Sequence, residues 1–394
     1  MENSQSSSAK ALPPSGARRP AKRQSRLERF QEPYRKFLRA LTICSDRVED
    51  LADTFPGLLF ALATGYGSPE QRERCFELIE DGAPLKQAAE ALGLPWWLRK
   101  LPAAAFTEPL GDLPKGNSFT RRVMNDIPEK PREAGDWYAR VTYAYRACHE
   151  DFALWIARQT RFPFRKLAGD PFTLLASWAW HGDQPETFGH SLLRKRWESR
   201  LSLKRAYDEA RAWERRVDLA VCLGAGLKDT WFEPGSVNGF EFVPLTSIDE
   251  FLSESKAMGN CLDQYADRVS SGTARVFSVR REGIAVANIE IVPHEDDIAM
   301  PAIEQLRAPR NARAVAEIWQ AAYAWLGQQQ FRALRPSSEK SVRRARSEVW
   351  NAIWGPYLAT LKGKPEFRRV RDFALQAHGR DAITRLAERE LLDL

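Results

Sequence analysis

Cysteine and histidine are scarce, five of each in 394 residues, and their scarcity removes several kinds of chemistry at once. Cys44, Cys75, Cys148, Cys222 and Cys261 are 31, 73, 74 and 39 positions apart, with no C-x-x-C pair and an odd total. Such spacing supports neither a zinc ribbon nor a disulfide framework, and it fits a reducing cytoplasm. The longest apolar run, residues 55–63, is far short of the roughly 18 residues that a membrane helix needs, so no membrane partner is expected. The first residues carry charge, serine and proline where a secretory signal would carry an apolar core. No Walker A loop and no G-x-S-x-G elbow occur, which withdraws the usual sequence support for P-loop nucleotide hydrolysis and for α/β-hydrolase chemistry.

Three near-motifs fail on spacing. His149-Glu150 opens like a zincin helix, but Ala153 stands where the second histidine belongs. Gly224-Ala225-Gly226 follows an apolar run as a dinucleotide loop would, yet Asp229 takes the third glycine's place, and a helix C-cap accounts for the glycines. His294 with Asp296 and Asp297 has no second cluster to complete a metal's ligands. No cofactor and no metal is therefore expected.

Charge is plentiful and uneven. Lys and Arg outnumber Asp and Glu by 59 to 52, a net +7, of which residues 1–26 carry +5 and residues 332–394 carry +6, leaving −4 on the body between. Contact with DNA or RNA is thus expected at the termini. A flexible basic tail over 1–26 either solubilises the chain or touches an anionic partner. Near the other end Arg332, Arg335, Lys340, Arg343, Arg344 and Arg346 face a single acid, Glu339. Val342, Ala345 and Val349 give that helix an apolar face, so Lys340, Arg343, Arg344 and Arg346 form either a solvated basic face or the candidate phosphate contacts.

Periodicity divides the rest. From residue 27 to about 224 apolar residues recur at helical spacing, as at Trp137, Val141, Phe152 and Trp155 and again at Leu203, Ala210, Trp213, Val217 and Val221. Many of the 13 tryptophans fall on these stripes and read as core anchors. After Trp231 the pattern changes. Residues 240–245 read as a strand, 247–250 as a capping box opening a helix to about 256, and 260–269 as a second short helix. Residues 275–280 and 284–292 read as a hairpin turning at 281–283, followed by a strand near 302–307 and a long helix over 312–330. Gly355-Pro356 is expected to divide a helix over 341–354 from later helices near 365–378 and 381–392. The predicted fold class is α+β. A basic tail (1–26) leads into a helical domain (27–230), then an α+β domain (231–331) with a small antiparallel sheet packed on helices, then a basic helical region (332–394).

Residues 85–94 look like the first helix and turn of a helix-turn-helix, with small residues and Gly93 at the turn. The following Pro95-Trp96-Trp97-Leu98-Arg99-Lys100-Leu101-Pro102 is short, apolar and closed by proline. That is a poor helix for reading bases, and a packed helical hairpin meets the same constraints.

The most specific signal lies in the α+β part. The run 242–247, then Met258-Gly259-Asn260-Cys261 with Tyr265 and Gly272, then 276–280, then Asn288 and Glu290, then Gln305, Arg307 and Asn311, resembles the PcfJ-like domain family over about 240–330. The family's name comes from a conjugative-plasmid gene, so the resemblance implies association with mobile elements and carries no settled activity. Where family members have His before the Cys, Thr two before the Glu and Gly after the Arg, this chain has Asn260, Asn288 and Ala308. The Cys–His pair that would activate a thiol is therefore missing. Independently of the resemblance, Cys261 and Tyr265 are i and i+4 on the expected helix, and Asn288 and Glu290 share one face of a strand. If that helix crosses the polar face of the sheet, Cys261, Tyr265, Glu290, Gln305 and Asn311 converge in a pocket. The alternative is a satisfied buried network. Two functional readings remain: a binding or accessory protein in plasmid transfer, maintenance or phage conflict, or an enzyme acting on nucleic acid or a nucleotide, with Glu290 as acid or base and Cys261 or Tyr265 as partner.

Overall fold

The computed structural model describes residues 26–43, 45–159, 169–224, 226–294, 300–329 and 339–377, apart from the side chains of 267, 270, 339–345 and 377. By packing, the chain divides into two compact units, Met1–Phe162 and Pro163–Leu394. The division falls inside the stretch expected to form one helical domain.

The first unit is helical: α1 (Arg35–Thr42), α2 (Asp46–Thr54), α3 (Pro56–Ala63), α4 (Pro69–Glu80), α5 (Leu85–Ala91), α6 (Asn117–Val123), α7 (Pro131–Ala147) and α8 (Glu150–Ala157). Ser68 and Gln71 form a reciprocal capping box at the start of α4, and His149 caps α8 by accepting the Phe152 N–H through Nδ1. The histidine of the near-zincin motif is thus a cap. Every residue of α3 except the last is buried, with Phe60 stacked between Phe30 and Phe106. After α5, Gly93 (φ 67°) turns the chain into a 3₁₀ turn over Trp96–Lys100. Trp97 is fully buried there against Phe119, Trp137 and Tyr138 and donates its indole N–H to the Pro114 carbonyl at 3.0 Å. The segment resembling a helix-turn-helix is therefore a packed hairpin, because its apolar residues gain more from burial than from a groove.

The second unit begins with α9 (Pro171–Gly182), α10 (Phe188–Ser191) and α11 (Leu203–Leu223), the last ended by Gly224 at φ 55°. A six-stranded antiparallel sheet then runs in chain order: β1 (Gly235–Val237), β2 (Phe240–Pro244), β3 (Arg275–Arg281), β4 (Ile284–Pro293), β5 (Pro301–Ala308) and β6 (Ala312–Arg313). Between β2 and β3 lie α12 (Ile248–Met258), opened by the Ser247–Glu250 capping box, a 3₁₀ turn (Leu262–Gln264) and α13 (Ala266–Ser270). The β3–β4 hairpin turns on Glu282 and Gly283, both at positive φ (53° and 75°), as a two-residue turn matched to strand twist requires.

Each face of the sheet has its own core. On one, Phe242, Phe277, Val279, Ile289, Ile291 and Leu306 pack with Ile318, Ala321, Ala322 and Trp325 of α14 (Ala316–Gly327). Towards the other, Val276 joins Leu219, Leu223, Leu245, Phe251, Leu262, Ala266 and Val269. The chain ends its described part with α15 (Glu339–Leu361) and α16 (Glu366–Ala377).

The α+β class holds, and four expectations need correction. The helix over 260–269 is a 3₁₀ turn followed by one turn of α-helix, because Gly259 (φ 61°) ends α12 and the Asn260 Oδ1 accepts the backbone N–H of Leu262, two residues on. The helix over 312–330 begins only at Ala316: Arg310 and Asn311 are left-handed, Ala312 and Arg313 pair with β5, and Val315, placed in the buried stripe, is 60 % exposed. Pro356 lies inside α15 without ending it, since Trp350, Ile353, Trp354, Tyr357, Leu358 and Leu361 keep one buried face on both sides of the proline. Strand β1 was not expected, being three residues long. The expected helix over 381–392, residues 1–25 of the tail expected over 1–26 and the acidic pair Asp296 and Asp297 lie outside the described residues, while the tail's last residue, Arg26, is ion-paired with Asp50 and Asp53.

Candidate functional site

Antiparallel register builds the site's floor. Val276, Glu290 and Gln305 are opposed across β3, β4 and β5, and Ser278, Asn288 and Arg307 form the next row on the same face. The alternation that sends Ile289 and Ile291 into the core sends Asn288 and Glu290 the other way. Over them pass the end of α12, the 3₁₀ turn and α13. The result is a cleft of about 370 Å³ lined by Asn260, Cys261, Leu262, Tyr265, Val276, Asn288, Glu290, Gln305, Arg307 and Asn311. Cys261, Tyr265, Glu290, Gln305 and Asn311 thus meet in one place. The route differs from the expected one. Cys261 caps the 3₁₀ turn and is exposed, and Tyr265 ends it half-buried, so the pair shares the cleft without sharing an α-helical face.

Glu290 is 3 % exposed. Its Oε2 accepts the Tyr265 hydroxyl at 2.9 Å, and the Arg268 Nη2 stands 2.9 Å from Oε1 as an ion pair. That guanidinium approaches without donating along a hydrogen-bond direction, and Oε1 accepts no hydrogen bond among the described residues. Burial raises the carboxyl's pKa above its ordinary value, opposed by the Tyr265 hydrogen bond and Arg268 and helped by Glu304. Burial and the Glu290 charge both raise the Tyr265 hydroxyl far above its usual range, so it stays a donor.

Beside this pair runs a second network. Asn260 Nδ2 donates to Asn288 Oδ1 at 2.6 Å, and Asn288 Nδ2 donates to Glu254 Oε1 at 2.6 Å, with Asn288 6 % and Glu254 5 % exposed. Asn260 and Asn288 are two of the three positions at which the sequence departs from the family pattern, and they bond to each other. Glu254 and Arg268 went unnoticed in the sequence. Each lies on a short helix whose facing residue is settled only by its crossing of the sheet.

The basic candidates fare differently. Arg346 is half-buried and donates through Nε to the Cys222 carbonyl at 3.2 Å, which ties α15 to α11. Lys340, Arg343 and Arg344 lie on α15, their side chains outside the described residues. Among the described residues no group of three or more His, Cys, Asp or Glu is placed to hold a metal, and no helix is long and apolar enough to cross a membrane. Larger cavities lie elsewhere, one of them beside Asp170 and Arg369, which close on each other in a bidentate pair at 2.6 and 2.7 Å.

A family model described as PcfJ-like protein matches residues 196–323. The match starts upstream of the resemblance read from the sequence, taking in all of α11, whose Leu219 and Leu223 belong to the core beneath the cleft. No curated protein and no solved structure matches the chain.

Proposed function

We propose that this chain is a binding or accessory protein acting in a nucleic-acid setting of the mobile-element kind that its PcfJ-like segment implies, and that the α+β part holds a polar ligand in the cleft. The convergence of Cys261, Tyr265, Gln305 and Asn311 around the buried Glu290 carries this reading. The lining favours binding over turnover. No His or Lys lines the cleft, so the exposed Cys261 lacks the usual partner that makes a thiolate nucleophile. One observation favours the enzyme reading instead: a carboxyl whose pKa is raised by burial and whose second oxygen accepts no hydrogen bond among the described residues is suited to general acid–base work on nucleic acid or a nucleotide.

The nucleic-acid contact itself is assigned to the basic ends, residues 1–26 with Lys340, Arg343 and Arg344, Arg346 being engaged with the Cys222 carbonyl. Anisotropy titrations with DNA and RNA from about 50 to 200 mM salt should show binding that weakens steeply, with a slope flattened by deleting 1–26 and changing Arg343 and Arg344 to Gln. Absence of binding at the lowest salt rejects the nucleic-acid reading.

Glu290→Gln tests the cleft. Because the folded pKa of Glu290 lies above the unfolded one, its ionised form costs stability at neutral pH, a cost that disappears as pH falls below the unfolded value. Glu290→Gln should therefore keep or raise Tm at pH 7 while abolishing the chain's effect on plasmid transfer, maintenance or phage resistance in its host. A lower Tm with a proportionate loss would make Glu290 part of the scaffold. Turnover of an oligonucleotide or nucleotide that vanishes in Glu290→Gln would select the enzyme.

A further inference from the structure

Beyond the five candidate residues, the outer edge of the sheet carries arginines at 307, 310 and 313. Arg307 and Arg313 are directly opposed across β5 and β6, in the row that begins with Ser278 and Asn288, and all three arginines are exposed. Among the described residues none of them has an ion pair or hydrogen bond. Like charges directly opposed on neighbouring strands destabilise a sheet edge unless something neutralises them. The turn between the strands is strained as well. Arg310 (φ 58°) and Asn311 (φ 60°) are consecutive left-handed residues without glycine, a conformation that proteins keep mainly where it positions a functional group. Here it sets Asn311 in the cleft wall and lays the Arg310 stem over Gly259, where an added Cβ would stand 3.5 Å from Arg310 Cγ.

Of these arginines Arg307 lines the cleft itself, with Arg313 opposed to it across the strand pair, and the cleft's inner end is of the opposite character. Glu290 is almost wholly buried, its Oε1 2.9 Å from the Arg268 guanidinium yet accepting no hydrogen bond among the described residues, and Gln305 and Asn311 line the cleft with it. A ligand with a hydrogen-bond donor at the inner end, to complete Oε1, and an anion at the outer end suits both. β6 lies two strand spacings from β4, on the order of 10 Å. An amino acid, whose ammonium and carboxylate are separated by only two bonds, is too short to meet both ends. A cation would satisfy Glu290 but be repelled by the arginines. We infer that the cleft takes a single nucleotide unit, its phosphate on Arg307 and Arg313 and a hydroxyl or amino group of its sugar or base donating to Glu290. A volume of about 370 Å³ lies within the range of small-ligand pockets. The inference rests on the cleft being a ligand site, and it places a phosphate contact on the acidic body of the chain, away from the basic ends.

The test uses the full-length protein. Nucleoside 5′-monophosphates, the matching nucleosides, inorganic phosphate and 5′-phosphorylated dinucleotides are titrated by calorimetry, and modification of the exposed Cys261 by a thiol reagent is followed by peptide mass. Monophosphates should bind and slow Cys261 modification, with nucleosides and inorganic phosphate weaker by about tenfold or more. Arg307→Ala and Arg313→Ala, both at exposed positions, should keep Tm and each weaken monophosphate binding about tenfold or more, whereas Arg343→Gln with Arg344→Gln should leave it unchanged. A dinucleotide that binds more tightly than the monophosphate identifies a strand end as the source, and one that binds no better identifies the free nucleotide. Failure of every phosphate ligand to bind, or binding indifferent to both arginine variants, overturns the inference. If another polar solute protects Cys261 in that case, the cleft remains a ligand site and only the nucleotide assignment falls.

Discussion

His181 is enclosed by Trp180, Trp213, Trp354 and Tyr357, with ring centroids 4.9 to 6.2 Å away, and is fully buried. Its Nδ1 lies 3.3 Å from the Thr187 hydroxyl, while Nε2 has no hydrogen-bond partner among the described residues. Burial, with a smaller contribution from His190, pushes its pKa down from 6.5 to about 3. The unfolded chain therefore binds a proton that the folded one refuses, and stability is lost as pH falls from about 6.5 towards 3. Between pH 7.5 and 5 the loss from this residue should be about 2 kcal/mol. Thermal melts across that interval should show the decline, and His181→Phe should flatten it. At this scale the sequence was informative where spacing limits choice: Asn288 and Glu290 had to share a strand face. It was silent on Glu254, Arg268 and the Arg307–Arg313 opposition, because each acts through a neighbour distant in the chain.

Among the elements, α14 packs Trp325 into the core on one face of the sheet. Trp325 stacks on Phe242 at 4.6 Å with the rings 3° apart and also meets Phe232 and Phe277. Gly235 lets β1 approach this ring, since an added Cβ would stand 3.0 Å from its Cδ1 and Nε1. Trp325→Ala should cost roughly 3–5 kcal/mol and Trp325→Phe clearly less, as read by denaturant unfolding. Hairpin, capping box and third strand were legible because they depend on local chemistry: left-handed Glu282-Gly283, Ser247 with Glu250, and two-residue alternation. The misread ends share a different cause. An apolar stripe from 312 onward looks helical in projection, but β-pairing with β5 and the left-handed Arg310-Asn311 claim its first residues. Pro356 should stop a helix on propensity, yet burial of Trp354, Tyr357 and Leu358 outweighs one lost backbone hydrogen bond.

For the whole molecule, packing divides the chain at 162/163, and the α+β part shares its unit with α9 to α11, α15 and α16. Residues 163–394 expressed alone should accordingly unfold cooperatively and present Cys261 at the same thiol reactivity as the full chain. Loss of either would tie the cleft to the first unit. Charge distribution, the absence of membrane-length apolar runs and the helical and strand periodicities were properties of the linear chain, because composition and nearest-neighbour spacing suffice to set them. The closure of a cleft over Glu290, the bond between Asn260 and Asn288, and the opposition of Arg307 and Arg313 depend instead on strand register and on the crossing of short helices over the sheet. Those are set by the burial of Trp325 on one face and Leu219, Leu262 and Val276 towards the other, long-range contacts that no local pattern encodes.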